Sequence, residues 1–378
     1  MPTAGQNPSE LDIRVKTRGY GLVCKNSKWL SMVGFEFFAN TFMFSNCDDT
    51  IAGNMTLVYP STSQRSLGVW GETKDTRIVT KFERVCSNSV IENSVFLYTD
   101  GSALDIAGTN VIIRNNYFGY IDWSTSDTNS VGATMWLEGD SHVIEHNTVT
   151  EFGATECISA GINATYQYNH IYKGGYLTTD GAMLHSMDIY NPDSVIAYNW
   201  VHDVPWYGIR LDDAGPPHAG RNCSIHHNVL WNTDGLMVKG DNHLVHNNTV
   251  FSWEKPDKWL TWGVVYNDYI LLDSEISPGV TQNANTQTLD NVGDTISSER
   301  GTYGVVPGVV EGNLNGYELG DEGFDVKSQL IDPENFNFCP KAGSLIQEKG
   351  IGAYDADCAN SWTAGITWEF SHPELPNW

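Results

Sequence analysis

Seven short segments along the middle of the chain share one pattern of apolar and polar positions. An apolar residue is followed three positions later by asparagine and five positions later by another apolar residue, as in VIENSV (90–95) and IHHNVL (225–230). The asparagines recur at intervals of 20 to 31 residues: Asn93, Asn116, Asn147, Asn169, Asn199, Asn228 and Asn248. The 3.6-residue pattern of helical repeats is absent, and the β-branched and aromatic residues between Asn, Asp and Gly favour short strands.

A second apolar segment lies in each interval between these asparagines, for example ATMWLEGD (133–140), GIRLDDA (208–214) and GLMVKGD (235–241). Each repeat therefore holds an Asn-bearing turn flanked by strands, a variable loop and a further strand. We predict an all-β fold, a right-handed parallel β-helix whose equivalent side chains stack about 4.8 Å apart in neighbouring coils. Asparagine tolerates the left-handed turn conformation, and its amide can bond to the next coil, so we expect an asparagine ladder.

The repeat also sets the expected extent of the solenoid. Regular coils are predicted at about 29–251, irregular loops and late coils at 252–335, and a closing segment at 336–378, within one domain of residues 1–378. Long insertions interrupt the repeat before Gly132 and between Asn169 and Asn228, and loops on one side of a solenoid usually wall its binding groove. Of seven cysteines, Cys339 and Cys358 are the best candidates for a disulfide, and no CxxC pair suggests a zinc site.

The charge balance narrows the range of partners. The chain has 46 acidic and 21 basic residues, a net charge of -25, which argues against nucleic acid because phosphate binding needs clustered Lys and Arg. No apolar run approaches the roughly 18–20 residues that span a bilayer, so no membrane partner is expected. The polar N-terminal segment lacks the apolar core of a signal peptide. We expect a monomer that is secreted or periplasmic, with a leader absent from this chain.

Aligning the second strands on Gly181, Gly208 and Gly235 predicts a column of ionisable side chains. The alignment places His185, Asp212 and Lys239 in one outward column about 5 Å apart, with Arg210 in the neighbouring column. Aligning LEGD with VKGD adds Glu138 to the column, two coils before His185. Cross-strand charge pairs on a solvent-facing sheet are the alternative interpretation. The concentration of ionisable residues in this part of the chain favours a functional groove.

Further residues are candidates for binding at the same groove. The candidate substrate-binding residues are Glu138, Asp180, Trp206, His218, Arg221 and Trp136. Asp188 and Asp213 are candidate ligands of Ca²⁺, a hard cation that binds oxygen. No motif for an organic cofactor is present, so none is expected. The histidines beside the asparagines, His226, His227, His243 and His246, are expected to have structural roles.

The chain resembles secreted carbohydrate-active β-helix enzymes, a group that comprises polysaccharide lyases and some glycoside hydrolases. The resemblance covers roughly 29–251 and the tail at 338–355. The segments YKGGYLTTDGAMLH, YNWVHDVPWYGIRLDDAG and IHHNVLWNTDGLMVKGDNHLVHNNTVF look like those of marine-type lyases of sulfated, uronate-containing polysaccharides, such as fucoidan lyases. The paired Glu and Lys/Arg motif expected of alginate lyases and chondroitinase B-like enzymes is absent, so their catalytic residues are not carried over.

A polysaccharide lyase needs a cation for the uronate carboxylate, a base for the C5 proton and an acid for the leaving oxygen. Arg210 and Lys239 can supply the cation, and Asp212 lies beside them. Ca²⁺ bound at nearby carboxylates can assist. His185 is the best base because imidazole titrates near neutral pH, and Lys239 is the alternative. Tyr207 or His218 can supply the acid. We therefore expect a lyase of an acidic polysaccharide.

Two alternatives stay open. An inverting glycoside hydrolase needs two carboxylates roughly 6.5–9.5 Å apart. Asp180 with Asp212, or Asp188 with Asp213, could meet this requirement, whereas Glu138 and Asp212 are separated by three coils, or about 14 Å. The third possibility is a non-catalytic carbohydrate-binding protein or adhesin, in which the ionisable column has no catalytic pairing.

Overall fold

A computed structural model describes most of the chain. The described residues are 7, 16–63, 77–122, 133–153, 156–177, 181–186, 193–212, 221–253, 269–272, 275–277, 280–299, 303–319 and 324–373.

Within the described residues, three parallel sheets of 11 strands each make up the solenoid, and every coil contributes one strand to sheet A, then one to sheet B, then one to sheet C. Sheet A contains Tyr20–Lys25, Thr41–Ser45, Thr80–Glu83, Leu104–Thr109, Ala133–Asp140, Glu156–Ile162, Ala182–Ser186, Tyr207–Leu211, Gly235–Val238, Tyr269–Leu272 and Thr295–Ser297. Sheet B contains Ser31–Val33, Ile51–Gly53, Val90–Glu92, Ile112–Arg114, Val143–Glu145, Thr165–Gln167, Val195–Ala197, Ser224–His226, Leu244–His246, Gln287–Leu289 and Val309–Glu311. Sheet C contains Glu36–Phe38, Thr56–Val58, Val95–Thr99, Tyr117–Ile121, Thr148–Phe152, His170–Gly174, Trp200–His202, Val229–Trp231, Thr249–Phe251, Val292–Gly293 and Leu314–Asn315.

This arrangement is the predicted parallel β-helix. Each strand pairs with its counterpart one coil earlier and one coil later, as Ile144 pairs with Ile113 and with Tyr166 in sheet B. The inward side chains of all three sheets form one continuous apolar core that includes Phe96, Leu184 and Val250. Because the core repeats with every coil, the outward side chains of sheet A are also brought into line along the molecule.

The asparagine ladder is confirmed for six of the seven predicted residues. The side chain of each asparagine accepts from the backbone and side-chain N–H groups of the preceding one, at 3.1 and 3.0 Å between Asn147 and Asn169. The described ladder runs through Asn116, Asn147, Asn169, Asn199, Asn228, Asn248, Asn291 and Asn313. The sequence pattern had not included the last two.

The assignment of Asn93 to the ladder was wrong by one residue. The backbone N–H of Ser94 donates to the Asn116 side chain at 2.9 Å, so Ser94 holds the ladder position in that coil. Asn93 instead has a φ of 50° at the turn and accepts a hydrogen bond from Asn115 at 2.6 Å. The template was aligned on Val90, whereas Ile91 is the residue that pairs with Ile113.

The chain after the last coil closes against sheet C. Its elements are the helices Gly316–Leu319 and Leu345–Lys349, the 3₁₀ helices Lys327–Gln329 and Pro333–Asn335, and an antiparallel pair of strands, Leu330–Asp332 with Asn337–Pro340. Earlier in the chain, between the sheet A strand Tyr269–Leu272 and the sheet B strand Gln287–Leu289, a second antiparallel pair joins Glu275–Ser277 to Val280–Thr281. No helix in the described part of the chain has the length and apolar character needed to cross a membrane.

The residues that follow run back along the outside of the solenoid. Trp362 stacks on Tyr354 with ring centroids 4.7 Å apart, and the N–H of Gly365 donates to the Tyr168 carbonyl at 2.7 Å. Further along, Phe370 stacks on Tyr117. The segment therefore contacts several successive coils rather than one end of the helix.

The predicted disulfide between Cys339 and Cys358 is confirmed, and it closes a loop with a sequence separation of 19. Loop-closure entropy predicts that replacing both cysteines with serine lowers the free energy of unfolding by about 3 kcal/mol. Urea denaturation of the wild type and of the double variant, each with and without dithiothreitol, measures the loss. The reductant should lower the wild-type midpoint to that of the variant and leave the variant unchanged. A wild-type midpoint that does not respond to full reduction would contradict the prediction.

Several histidines lie on sheets B and C beneath the closing segment. His202 stacks on Trp231 with ring centroids 4.0 Å apart, and His170 lies 5.4 Å from the ring of Phe336. Burial lowers the pKa of His170 well below its usual range, and His202 lowers it further. Burial, His246 and His227 lower the pKa of His226 to about 4. These imidazoles are therefore neutral in the folded protein at pH 7.

We expect acid to destabilise the fold through these histidines. Between the usual imidazole pKa of 6.5 and the folded value of about 4 for His226, the unfolded chain binds more protons than the folded chain, so stability falls as pH falls. Urea midpoints measured from pH 7 to pH 4 should decrease progressively below about 6.5. The loss should shrink in a His226→Asn variant. A midpoint that is flat across this range would contradict the expectation.

Candidate active site

The outward column of sheet A differs from the one the sequence predicted. The strand register aligns Lys81, Asp105, Trp136, Ser159, His185, Arg210 and Met237 in successive coils. His185 is thus in register with Arg210, and Asp212 and Lys239 lie beyond the column. The predicted column of His185, Asp212 and Lys239 was therefore wrong.

The error came from the glycine alignment. Gly208 and Gly235 do correspond, because Ile209 pairs with Leu236. Ala182, however, pairs with Tyr207 and not with Ile209, so the strand Ala182–Ser186 sits two residues away from its expected register. The placement of Glu138 in the column was wrong for a similar reason, since Trp136 occupies that position.

The predicted side chains nevertheless meet. Asp212 directly follows the strand Tyr207–Leu211, and Lys239 directly follows Gly235–Val238. Lys239 Nζ donates to Asp212 Oδ1 at 2.7 Å, and Arg210 Nη2 donates to Asp212 Oδ2. His185 Nε2 lies 4.0 Å from Asp212 Oδ2. The proximity of His185, Asp212 and Lys239 is therefore confirmed, with Arg210 as a fourth member.

Glu156 is a member of this cluster that the sequence did not reveal. Its Oε1 contacts Nδ1 of His185, and the two side chains are only 1% and 2% exposed. Side-chain alternation gave no signal, because Glu156 lies three residues before Ser159, the register neighbour of His185. In the sequence the apolar segment of this strand, CISAG (157–161), begins at Cys157 and leaves the carboxylate outside it.

The cluster has a buried layer and an accessible layer. Below lie Glu156 and His185, and above them the side chains of Arg210 and Lys239 are 14% and 21% exposed. Two cations balance two carboxylates while His185 is neutral, so protonation of His185 gives the cluster a net positive charge. An anionic ligand would therefore meet the cations first.

Two buried atoms of the lower layer have no hydrogen-bond partner within the described residues: Glu156 Oε2 and His185 Nε2. An unpaired buried polar atom costs about 1–3 kcal/mol, so such atoms in native structures need an explanation. With Nδ1 held by Glu156, the free ring atom of His185 is Nε2, on the side of Asp212 and the two cations. When Nδ1 donates its proton to Glu156, Nε2 carries the lone pair that can accept a proton.

Tyr207 and Trp206 lie beside the cluster. Tyr207 is 7% exposed and packs with Ala182, Met237 and Leu271, and the guanidinium of Arg210 lies 5.9 Å from its ring centroid. Trp206 packs partly against the core, and its indole N–H donates to the Gly175 carbonyl at 3.1 Å. The structure thus brings Tyr207 to the cluster and anchors Trp206 at the adjoining turn.

The remaining described candidates are more distant along the sheet or at its turns. Trp136 lies two coils before His185 in the same column, and its indole N–H donates to Glu138 at 3.4 Å. Arg221 precedes the sheet B strand Ser224–His226, and its backbone forms an isolated parallel β-bridge with the backbone of Asp241. Farther along the column, Asp105 forms an ion pair with Lys81 at 3.4 Å, and burial raises the pKa of its carboxyl group.

Four predicted site residues lie outside the described part of the chain: Asp180, Asp188, Asp213 and His218. The long loops that we expected to wall the groove fall there too. Within the described ranges, no group of three or more His, Cys, Asp or Glu side chains is placed to hold a metal ion. The calcium prediction therefore stays a prediction.

The structural interpretation of the flanking histidines is confirmed. His226 stacks on His246 with ring centroids 4.8 Å apart, and His227 stacks on Tyr198. His243 is 1% exposed; its Nδ1 accepts the N–H of Cys223 and its Nε2 lies 3.1 Å from the Lys239 carbonyl. These rings support turns of the solenoid.

Comparison with known proteins agrees with the fold. A family model described as "Right handed beta helix region" matches residues 82–251, which agrees with the predicted handedness. No curated protein sequence matches the chain significantly. The right-handed parallel β-helix predicted from the repeat is therefore confirmed.

Two solved structures are similar at low identity. An alginate lyase in complex with G6 is 11% identical with a TM-score of 0.42, and the match covers 75% of this chain and 68% of the other. A PL6 alginate lyase in complex with a trisaccharide is 10% identical with a TM-score of 0.40, covering 75% and 67%. Likeness at this level does not identify a reaction, which has to be argued from the site.

Proposed function

We propose that the protein is a polysaccharide lyase that cleaves an anionic, uronate-containing polysaccharide by β-elimination. The observation that carries the proposal is the layered cluster on sheet A. Two partly exposed cations lie above a buried histidine whose Nδ1 contacts a carboxylate and whose Nε2 has no hydrogen-bond partner among the described residues. Cation and base are thus assembled side by side.

The geometry suggests a role for each side chain. Arg210 and Lys239 bind the uronate carboxylate and stabilise the negative charge that develops when the neighbouring C5 proton leaves. His185 Nε2 accepts that proton, and Glu156 fixes the ring and stabilises the resulting imidazolium. The acid that protonates the leaving oxygen is Tyr207, beneath Arg210; it is the candidate for this role among the described residues. Asp212 holds the two cations in place.

The same contacts count against the hydrolase alternative for the described residues. An inverting hydrolase needs one carboxylic acid that donates a proton and one carboxylate that activates water. Glu156 is engaged with His185, and Asp212 is engaged with Arg210 and Lys239. Both carboxylates are committed to holding other catalytic groups, which favours elimination.

The setting of the enzyme is part of the proposal. The net charge of -25 contrasts with the two cations at the site, so an acidic polysaccharide is expected to bind at Arg210 and Lys239 rather than elsewhere. We propose a secreted or periplasmic location, where such polysaccharides are found. A requirement for Ca²⁺ is tested by assaying the protein with and without a chelator.

An absorbance screen tests the reaction class. Purified protein is incubated with alginate, with sulfated uronate-containing polysaccharides and with neutral glucans, and ultraviolet absorbance and reducing ends are measured together. Elimination creates a C4–C5 double bond, so absorbance should rise with reducing ends on an anionic substrate. Reducing ends without absorbance would indicate hydrolysis, and binding without either signal would indicate an adhesin. Both results would overturn the proposal.

Lys239→Met is expected to lower kcat by about 10²-fold, the usual cost of removing one group that stabilises transition-state charge. Arg210 remains paired with Asp212, so the fold should be retained. The substitution is assayed on the substrate found in the screen, with Lys341→Met as the control, because Lys341 is exposed and bonds to the Ser328 carbonyl in the closing segment. Equal rates for the two variants would contradict the role given to Lys239.

A further inference from the structure

One tyrosine interrupts an aliphatic column in the core. The central residues of the sheet B strands are in register along the solenoid and include Ile91, Ile113, Ile144, Tyr166, Ile196, Ile225 and Val245. Tyr166 is the one aromatic residue among these seven, and its side chain is 1% exposed. Burial raises the pKa of this hydroxyl, so it stays protonated. A polar group in an apolar column requires partners.

The partners of Tyr166 lie across the coil, in sheet A. The backbone N–H of Ala160 donates to Tyr166 Oη at 3.0 Å. The carbonyls of Ala160 and His185 both lie 3.5 Å from the same oxygen as acceptors for its proton. The hydroxyl therefore contacts two strands at once, Glu156–Ile162 in its own coil and Ala182–Ser186 in the next.

These two strands carry Glu156 and His185, and they pair over a short length. Only Ile158 with Leu184 and Ser159 with His185 are in register between them, whereas Ala182–Ser186 has four register pairs with Tyr207–Leu211. Ala160 is the next residue after the last pair. The Tyr166 hydroxyl thus lies where the backbone ladder stops, beside the backbone of His185.

We propose that Tyr166 is a positioning residue, which fixes the backbone of His185 relative to the strand of Glu156 and so holds the imidazole in its reactive orientation. The inference rests on the proposed function for its kinetic consequence. Its structural consequence, the geometry of the Glu156–His185 pair, does not depend on any activity. Ile196 and Ile225 fill the same column without a hydroxyl, so packing alone does not require tyrosine at this coil.

Tyr166→Phe removes the hydroxyl and keeps the ring. We expect kcat to fall by roughly ten- to a hundredfold, the range that a small misplacement of a catalytic group produces, with KM unchanged within about twofold. The variant Tyr166→Ile, which matches the neighbouring Ile144 and Ile196, should show the same division between kcat and KM. Nitrogen NMR of the His185 side chain should show changed Nδ1 and Nε2 chemical shifts, and so a changed tautomer balance, in both variants.

Tyr354→Phe is the matched control. Its hydroxyl is also buried and bonds to the Trp200 indole and the Trp362 carbonyl, and Tyr354 belongs to the closing segment rather than to the site. It should lower the melting temperature while kcat and the His185 NMR signals stay at wild-type values. If Tyr166→Phe behaves like this control, the positioning role is wrong. If the wild type eliminates no substrate, the proposed function fails, and the NMR comparison still decides the role of Tyr166.

Discussion

Replacing His185 with alanine is expected to lower kcat for elimination by about 10²–10⁴-fold, the contribution of a positioned base. The substitution removes Nε2, the atom to which the C5 proton is transferred, while Arg210 and Lys239 still bind the carboxylate. KM should therefore change much less than kcat. Initial rates of double-bond formation over a range of substrate concentrations separate the two.

Loss of the imidazole also leaves the buried carboxylate of Glu156 without its partner, which costs about 1–3 kcal/mol of stability. Rates are therefore measured well below the melting temperature, after circular dichroism has confirmed the fold. His246→Asn is the control, because His246 bonds to the Asn247 side chain on sheet B. Near-wild-type turnover by the His185 variant would remove His185 from the mechanism.

Replacing Asn199 with alanine is expected to lower the free energy of unfolding by about 3–5 kcal/mol, since several buried polar groups lose partners together. The Asn199 side chain accepts from the N–H and Nδ2 of Asn169, and it donates to the Tyr166 carbonyl and to Asn228 Oδ1. The four residues that carry these groups are buried. Urea denaturation measures the loss.

Asn93→Gly is the matched comparison, because Asn93 fits the same sequence pattern but lies outside the ladder. Its φ of 50° suits glycine, and it accepts one hydrogen bond, from Asn115. We expect a loss of about 0.5–1 kcal/mol, typical of a single hydrogen bond. Equal losses at the two positions would contradict the ladder as the structure places it.

The fold could be predicted because the same physical requirement recurs in every coil. A buried turn needs a side chain that bonds to both its own coil and the next, and asparagine meets that need at six of the predicted positions. Register was harder to predict. In VIENSV both Val90 and Ile91 are apolar, so the pattern alone does not decide which of them faces the core.

The site shows the same limit. The chemistry of His185, Asp212 and Lys239 was visible in the sequence, but their alignment depended on Gly181, and the observed pairing of Ala182 with Tyr207 differs by two residues. Flexible side chains at strand ends still meet despite that shift. Glu156 was missed because it is the first residue of its strand and lies three positions before Ser159, so side-chain alternation does not place it beside His185.

The most direct test of the lyase proposal is the origin of the oxygen at the new chain ends. Digestion of the anionic substrate is carried out in water enriched in oxygen-18, and the products are analysed by mass spectrometry. Elimination breaks the bond without adding water, so the account predicts unsaturated products with no label from the cleavage step. Saturated products that carry one labelled oxygen at each cleavage would show hydrolysis and contradict it.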